Sequence, residues 1–86
     1  MIEVSYIGRL MDDLDLQQEQ EQFEWRVGMA DVASLIELLC SERGAQWSTA
    51  LHQENLLVSV NQSMVKTDHP LADGDAVIFF PPIAGG

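Results

Sequence analysis

The residues best suited to chemistry lie at the end of the chain, in the segment Pro81-Pro82-Ile83-Ala84-Gly85-Gly86. Two adjacent prolines favour an extended backbone, and glycines, which have no side chain, let a backbone lie close against a ligand or enter a narrow channel. The carboxylate of Gly86 is the only group of this segment that can form a covalent bond, and it becomes a good acyl donor once a partner enzyme has adenylated it. The segment therefore predicts a reactive carboxylate at Gly86.

A Gly-Gly pair is by itself a weak indication, because chain ends are commonly small and polar. Here the pair follows an apolar run from Ala76 to Phe80, which predicts a strand buried on both faces. Pro81 and Pro82 then end strand pairing, since neither has a backbone N–H to donate. A buried strand, a di-proline and a Gly-Gly tail in this order are much less expected by chance.

Length and charge limit the classes of protein. With 86 residues, of which 47% are hydrophobic, the chain is expected to form one domain with a small core. The formal net charge of −10 argues against nucleic acid and anionic membrane surfaces as partners, because both repel a polyanion. The same charge can attract basic partners or simply keep a small protein soluble, and solubility alone accounts for most of the individual acidic residues. We expect a compact domain over residues 1–80 and an extended tail over residues 81–86.

The compartment is predicted from cysteine use and hydropathy. A single cysteine, Cys40, cannot form an internal disulfide and gives no indication of an oxidising compartment. The chain does not open on a basic and then apolar signal segment, and no apolar run approaches the length of a membrane span. A cytoplasmic protein is therefore expected.

The first part of the chain contains two predicted strands. Residues 2–8 alternate between apolar and mostly polar side chains, as a half-buried strand does. Residues 10–22, rich in Gln and acidic side chains, are interpreted as a solvated connection. Phe23, Trp25 and Val27 alternate with charged residues and predict the second strand.

A helix is predicted in the middle of the chain. Asp31 suits its N-cap, and the four apolar residues that follow at helical spacing are Val32, Leu35, Ile36 and Leu39. Gly44 suits its C-terminal end. The next stretch is ambiguous, although Trp47 and Leu51 would share one face of a short helical turn.

The second part of the chain predicts the rest of a sheet. Residues 56–61 alternate as a third strand, and residues 62–66 suit a short partner strand. Residues 68–71 and the pair Asp73-Gly74 predict turns. The order of elements indicates an α+β fold, with a mixed sheet packed on one main helix.

Two segments carry a resemblance to a known family. They are Val60-Asn61-Gln62, and the run from Asp68-His69-Pro70-Leu71-Ala72-Asp73-Gly74-Asp75 into Phe79-Phe80-Pro81-Pro82 and the Gly-Gly tail. The chain resembles the small subunits of molybdopterin synthase, which are β-grasp (ubiquitin-like) sulfur carriers, over most of its length. Residues 10–22 depart from that family.

The resemblance implies a function in molybdenum cofactor biosynthesis. Gly86 would be adenylated by an E1-like activating enzyme that uses ATP, and would then be sulfurated to a thiocarboxylate, a 1-thioglycine. The tail would insert into the large synthase subunit and give its sulfur to the pterin precursor, forming the dithiolene of molybdopterin. The chain would bind no cofactor itself and would be a sulfur donor without a complete active site.

The resemblance also implies which residues guide the tail. Those expected to contact the partner are Phe79, Phe80, Pro81, Pro82, Ile83, Ala84 and Gly85. Because Phe79 and Phe80 are neighbours in a strand, their side chains point to opposite faces. At most one is fully buried in the core, and the other is a candidate interface anchor.

Four other features are interpreted as structural. Cys40, on the predicted helix, suits a small residue at the edge of the core. His52 and His69 have no partners at metal-ligand spacing. The acidic segment 12–15 lacks the glycine and terminal glutamate of a calcium loop.

Three alternative functions remain open from the sequence. The thiamin-pathway sulfur carriers share the fold, although the segment 79–82 argues against them. A ubiquitin-like protein modifier would instead join Gly86 to lysine side chains through isopeptide bonds. An interaction module would have an inert tail.

Overall fold

The computed structural model describes residues 1–82. This part of the chain forms five strands and three helices. In order they are β1 (Ile2–Tyr6), α1 (Leu10–Asp13), β2 (Gln20–Phe23), α2 (Val32–Arg43), α3 (Ala45–Leu51), β3 (Leu57–Val60), β4 (Ser63–Val65) and β5 (Ala76–Phe80).

The strands form one mixed sheet in the order β2-β1-β5-β3-β4. The central pair, β1 and β5, is parallel, and the other pairs are antiparallel. A parallel pair needs a long crossover connection, and the helices lie between these two strands in the chain. The predicted α+β arrangement with a mixed sheet is confirmed.

One face of the sheet packs into the core, and we call it the inner face. Its strand residues alternate in burial, as the period of two requires. They are Ile2, Val4, Tyr6, Phe23, Val58, Val60, Val77 and Phe79. The predicted apolar face of α2 joins the same core cluster, so the helix covers this face of the sheet.

The ends of α2 are as predicted. The side chain of Asp31 accepts hydrogen bonds from the backbone N–H and the hydroxyl of Ser34, both at 2.8 Å. The hydroxyl bond, followed by the backbone bond, lowers the pKa of the Asp31 carboxyl. At the other end Gly44 has a φ of 95°, a conformation that favours glycine. Trp47 and Leu51 lie in α3 and are both buried.

The interpretation of residues 10–22 as a solvated connection is wrong. Leu10, the first residue of α1, and Leu14, its C-cap residue, lie one helical turn apart and are both buried in the core. The last part of the segment forms β2, whose backbone pairs with β1. The Gln-rich composition concealed this strand because β2 lies at the sheet edge, where polar side chains are tolerated.

The position of the second strand is also wrong by several residues. Phe23 is the last residue of β2, not its first, and it is the only one of the predicted alternating residues in the core cluster. Trp25 is half-buried in the following loop, and Val27 is 103% exposed at the start of a turn. The alternation after Phe23 therefore does not mark a strand, although Trp25 packs against the core cluster.

β5 is buried on only one of its faces, contrary to the prediction. Val77 and Phe79 are fully buried, whereas Ala76, Ile78 and Phe80 are half-buried on the opposite face. No helix within residues 1–82 covers this second face, which we call the outer face. Apolar side chains on an uncovered face indicate a binding surface, whereas those in a core stabilise the fold.

The start of β5 is fixed by side-chain hydrogen bonds. The amide of Asn61 donates to Asp75 Oδ1 at 2.9 Å, and its carbonyl oxygen accepts from the backbone N–H of Ala76 at 3.0 Å. The other oxygen of Asp75 accepts from the N–H of Ala72 at 2.9 Å. These bonds tie the turn at Gly74 to the end of β3 and so set where β5 begins.

Within residues 1–82, no helix combines the length and the hydropathy needed to cross a membrane.

Candidate functional site

The candidate site is the C-terminal end of the central strand β5, where the C-terminal segment leaves the sheet. Tyr6 pairs with Phe79 in the parallel register, and the N–H of Ile7 donates to the carbonyl of Phe79 at 3.0 Å. Pro81 and Pro82 follow directly and end the strand, as predicted. The segment therefore leaves from the centre of the sheet and not from an edge strand. Ile83, Ala84, Gly85 and the predicted reactive residue Gly86 lie outside the described residues.

Three apolar side chains on the outer face lie side by side at this exit, and we call them the exit row. Phe80 pairs with Leu57 across β5 and β3. Continuing the β1–β5 register by one residue places Ile7 opposite Phe80 on the other side. Ile7 and Leu57 are each 36% exposed, and Phe80 is half-buried. Apolar side chains exposed in a row suit an interface better than a free surface.

The apolar surface continues from the exit row towards β4. In the neighbouring row Ile78 pairs with Ser59, which pairs in turn with Met64, and Met64 is 58% exposed. The Ser59 hydroxyl is buried here and has no hydrogen-bond partner within residues 1–82. We refer to Ile7, Leu57, Met64, Ile78 and Phe80 together as the outer-face patch.

Sequence reasoning found only one member of the outer-face patch, Phe80. Ile7 carried a usable signal, because it is an apolar side chain at a position where strand alternation requires a polar one. Leu57 carried the same signal beside Leu56. Met64 could not have been placed, because its position depends on the pairing of β3 with β4.

On the inner face, an aromatic cluster holds the end of β5. The ring of Phe79 stacks on that of Tyr6 with centroids 6.0 Å apart and an interplanar angle of 23°. Tyr6 also meets the ring of Trp47 edge to face at 5.4 Å. Such pairs add stability beyond their buried area. Phe79, predicted to contact the partner or the core, is fully buried in the core.

An ion pair between Glu21 of β2 and Arg43 of α2 lies beside this aromatic cluster. The hydroxyl of Tyr6 donates to Glu21 at 2.6 Å, and the guanidinium of Arg43 donates to both oxygens of Glu21 at 2.7 Å. The same guanidinium lies 4.6 Å from the centre of the Trp47 ring. Strand β2 is thereby tied to the end of α2 and to α3.

The electrostatics of this network favour its charged form. Burial raises the pKa of the Glu21 carboxyl, but the hydrogen bonds from Arg43 and Tyr6 and the Arg43 charge outweigh burial, so the pKa lies below its ordinary value. Burial, and then the hydrogen bond to Glu21, raises the pKa of Tyr6, which therefore stays a neutral donor. The hydrogen bond to Glu21 raises the pKa of Arg43 despite its partial burial.

The other singled-out side chains lie on the helices or in turns. Cys40 is half-buried on α2, and burial, with the Glu37 charge, raises the pKa of its thiol. His52 contacts Glu37 through Nε2 at 2.8 Å, and Ser48 through Nδ1 at 3.0 Å. The backbone of His69 accepts from the N–H of Val32 at 3.1 Å.

Within residues 1–82, no metal-binding cluster lies at the exit, and an open groove lies elsewhere on the domain. Among the described residues, His, Cys, Asp and Glu side chains do not gather in threes where they could hold a metal ion. An open groove of about 340 Å³ lies between α2 and the segment after α3, and its lining includes Ile36, Glu37 and His52. None of its lining residues belongs to the outer-face patch.

A mixed sheet over a main helix, with the last strand in its centre, defines a ubiquitin-like β-grasp protein. Within that class the chain belongs to the ThiS family, whose model matches residues 4–86. The chain is 50% identical over 54 residues to the molybdopterin synthase sulfur carrier subunit of Escherichia coli strain K12. That alignment covers 59% of this chain and 67% of the E. coli protein.

Solved structures confirm the fold. A complex of subunits 1 and 2 of the molybdopterin-converting factor from Helicobacter pylori 26695 contains a chain that is similar with a TM-score of 0.62 and 21% identity. The similarity covers 99% of this chain and 97% of that one. The small archaeal modifier protein 1 of Haloferax volcanii is similar with a TM-score of 0.74 and 18% identity, over 95% and 97% of the two chains.

Proposed function

We propose that this chain is the sulfur-carrier subunit of a molybdopterin synthase and that the carboxylate of Gly86 carries the sulfur. The observation that carries the proposal is the parallel pairing of β1 with β5, which brings the C-terminal segment out between apolar neighbours at the centre of the sheet. A segment anchored in this way has a fixed starting point from which to reach a partner's active site.

The chemistry proposed for Gly86 has two steps. An activating enzyme joins the carboxylate to the AMP part of ATP and releases pyrophosphate. A hydrosulfide ion from the sulfur donor then displaces AMP, so that one carboxylate oxygen leaves with the phosphate and sulfur takes its place. The thiocarboxylate sulfur later attacks a carbon of the pterin precursor and displaces an oxygen substituent from it. Water then hydrolyses the acyl C–S bond of the resulting thioester, which returns the Gly86 carboxylate and leaves the sulfur on the precursor. This chain supplies the carboxyl carbon of Gly86, to which the sulfur is bound, and the partner enzymes supply the catalytic groups.

The outer-face patch is the proposed contact with the large subunit. It begins at the exit row, so a partner bound to it would receive the C-terminal segment at the same place. The related chain of Helicobacter pylori forms a complex with subunit 2 of its converting factor, which supports a partner of this kind. The formal net charge of −10 favours a basic rim around the partner's apolar contact.

The activating enzyme is proposed to be E1-like, with ATP bound by that partner and not by this chain. The same outer-face patch would serve both partners in turn, because Gly86 must enter each active site. The cytoplasm is the proposed compartment for these steps.

A protein modifier is the competing function, because the fold is shared with the small archaeal modifier protein 1. That similarity is at 18% identity and bears on the fold alone. The 50% identity to a sulfur carrier favours the carrier function instead. The two differ in product, since a modifier leaves Gly86 in an isopeptide bond and a carrier returns it as a free carboxylate.

The proposal is tested by reconstituted sulfur transfer. Each chain is first incubated with the activating enzyme, ATP and a sulfur donor, and is then mixed with a molybdopterin synthase large subunit and the pterin precursor. Dithiolene formation is measured in a single turnover. We expect one chain extended beyond Gly86 to be inactive, because an amide cannot be adenylated, and one extended before Met1 to retain activity. The two extensions have the same sequence, so they are matched controls. Normal transfer by the C-terminally extended chain, verified uncleaved by mass, would contradict the proposal.

A further inference from the structure

The turn between β1 and α1 lies against the first residue after β5. Gly8, in this turn, has a φ of +62°, which places it in the left-handed region. A Cβ built on Gly8 would lie 3.5 Å from Cγ and 3.9 Å from Cδ of Pro81. The absence of a side chain at Gly8 therefore leaves a space beside the Pro81 ring that a single methyl group would fill at ordinary van der Waals distance.

Neither the turn at Gly8 nor the chain at Pro81 can move easily, because hydrogen bonds and packing hold both segments. On the Gly8 side, Ile7 donates to Phe79 at 3.0 Å, and the carbonyl of Gly8 accepts from the N–H of Met11 at 3.2 Å. The next residue but one, Leu10, is fully buried. On the other side, the pyrrolidine ring fixes the φ of Pro81, and Phe79 is held by the aromatic cluster.

We infer that Gly8 is a positioning residue for the C-terminal segment: it sets the direction in which the chain leaves the sheet at Pro81. The inference rests on the proposed function and deepens it. A side chain at position 8 longer than a methyl group would compete with the Pro81 ring for the same space. The ring would have to shift, and the direction of the residues that follow it would change. A misplacement of about 1 Å at a reacting group can lower a rate by a factor on the order of 100.

The chain offers a matched control for backbone strain. Gly74, in the turn before β5, also has a positive φ, +96°, but a Cβ built there meets nothing within 4 Å. Asn tolerates the left-handed region better than most residues. Gly8→Asn and Gly74→Asn therefore both add a side chain to a positive-φ position, and only the first adds it against Pro81.

The test is single-turnover sulfur transfer at a range of large-subunit concentrations, well below the melting temperature of each variant. For Gly8→Asn we expect the maximal rate to fall by at least about tenfold, with a half-saturating concentration close to that of the unmodified chain. Gly8→Ala is expected to lose less, since its methyl makes only an ordinary contact with Pro81. Gly74→Asn is expected to transfer sulfur at the normal maximal rate.

A double substitution separates positioning from a general effect on stability. In a Pro81→Ala background the ring is absent, so Gly8→Asn should lower the maximal rate much less than it does beside Pro81. Equal losses in both backgrounds would overturn the inference, as would a Gly8→Asn maximal rate equal to that of Gly74→Asn. A change confined to the half-saturating concentration would make Gly8 a docking residue and also overturn it. If the unmodified chain itself transfers no sulfur, the proposed function fails, and the inference fails with it.

Discussion

Phe79 and Phe80 are adjacent in β5, and their side chains lie on opposite faces of the sheet. Phe79 is fully buried beneath α2 and α3, where it stacks on Tyr6. Phe80 is half-buried on the outer face, where it pairs with Leu57 in the exit row. Phe79 therefore stabilises the core, whereas Phe80 forms part of the apolar outer surface.

Substitution of these two phenylalanines should separate stability from partner binding. Phe79→Ala is expected to lower the free energy of unfolding by roughly 3–5 kcal/mol, because it leaves a cavity in the core. Phe80→Ala should lower it by less than about 1 kcal/mol, the value of a cross-strand contact, while weakening large-subunit binding. Thermal melts and titration calorimetry measure the two effects.

Phe79→Leu serves as a milder core variant if Phe79→Ala does not fold. The prediction is contradicted if both alanine variants lose the same stability and bind the large subunit with unchanged affinity. Neither phenylalanine would then be an interface anchor.

The Glu21–Arg43 pair predicts a dependence of stability on pH. The pKa of Glu21 in the folded state lies below its ordinary value of 4.5, so its ionisation stabilises the fold above that pH. The contribution decreases as the pH falls towards and through the folded pKa. At neutral pH, Glu21→Gln should cost roughly 1 kcal/mol, a modest value because both side chains keep contact with water.

Urea unfolding at several pH values measures this contribution. The difference in unfolding free energy between the unmodified chain and Glu21→Gln should shrink below about pH 4.5. Tyr6→Phe is the control, because it removes one hydrogen bond to Glu21 and leaves the ion pair with Arg43 in place. A difference that stays constant from pH 7 to pH 3 would contradict the assignment.

The elements that could be predicted from the sequence are those whose own residues are sufficient to identify them. The α2 face, its Asp31 cap and the Gly44 end could be predicted because helix period, capping and positive φ are local properties. The strand β2 could not, because Gln20 and Gln22 lie on the outer face of an edge strand and pair through their backbones. Its assignment depends on β1, a partner distant in the sequence.

The candidate site divides in the same way. The order of strand, di-proline and Gly-Gly could be read directly from residues 76–86. The exit row could not, because Leu57 and Phe80 belong to β3 and β5, Ile7 directly follows β1, and the three meet only through the register of the sheet. The proximity of Gly8 to the Pro81 ring likewise depends on the parallel pairing of β1 with β5.

The acidic residues around α1 are expected to have little influence on sulfur transfer. Asp12, Asp13 and Asp15 are exposed, and exposed charges contribute little individually. Their simultaneous replacement by Asn keeps the left-handed conformation at position 15, where φ is 54°. Single-turnover transfer should remain within about twofold of normal, since exposed charges contribute little and none of the three residues belongs to the outer-face patch. A loss as severe as that from deleting Gly86 would contradict this.

Cys40 is expected to be dispensable for sulfur transfer. Burial and the Glu37 charge raise the pKa of its thiol, so the reactive thiolate is scarce at neutral pH. Alkylation of Cys40 in the folded chain should be slower than in the urea-unfolded chain, and Cys40→Ser should transfer sulfur at the normal rate. Rapid alkylation together with an inactive Cys40→Ser variant would show that this thiol relays sulfur.

The central claim is that sulfur resides on the carboxylate of Gly86, and intact mass spectrometry tests it most directly. The chain is incubated with its activating enzyme, ATP and a sulfur donor, and the product is then fragmented. A thiocarboxylate exchanges one oxygen for sulfur, and we predict this mass change, located by the fragments at Gly86. A persulfide adds sulfur without loss of oxygen, and a modifier gives conjugates of high mass. Sulfur added at Cys40, conjugates through Gly86, or an unchanged mass would each contradict the account.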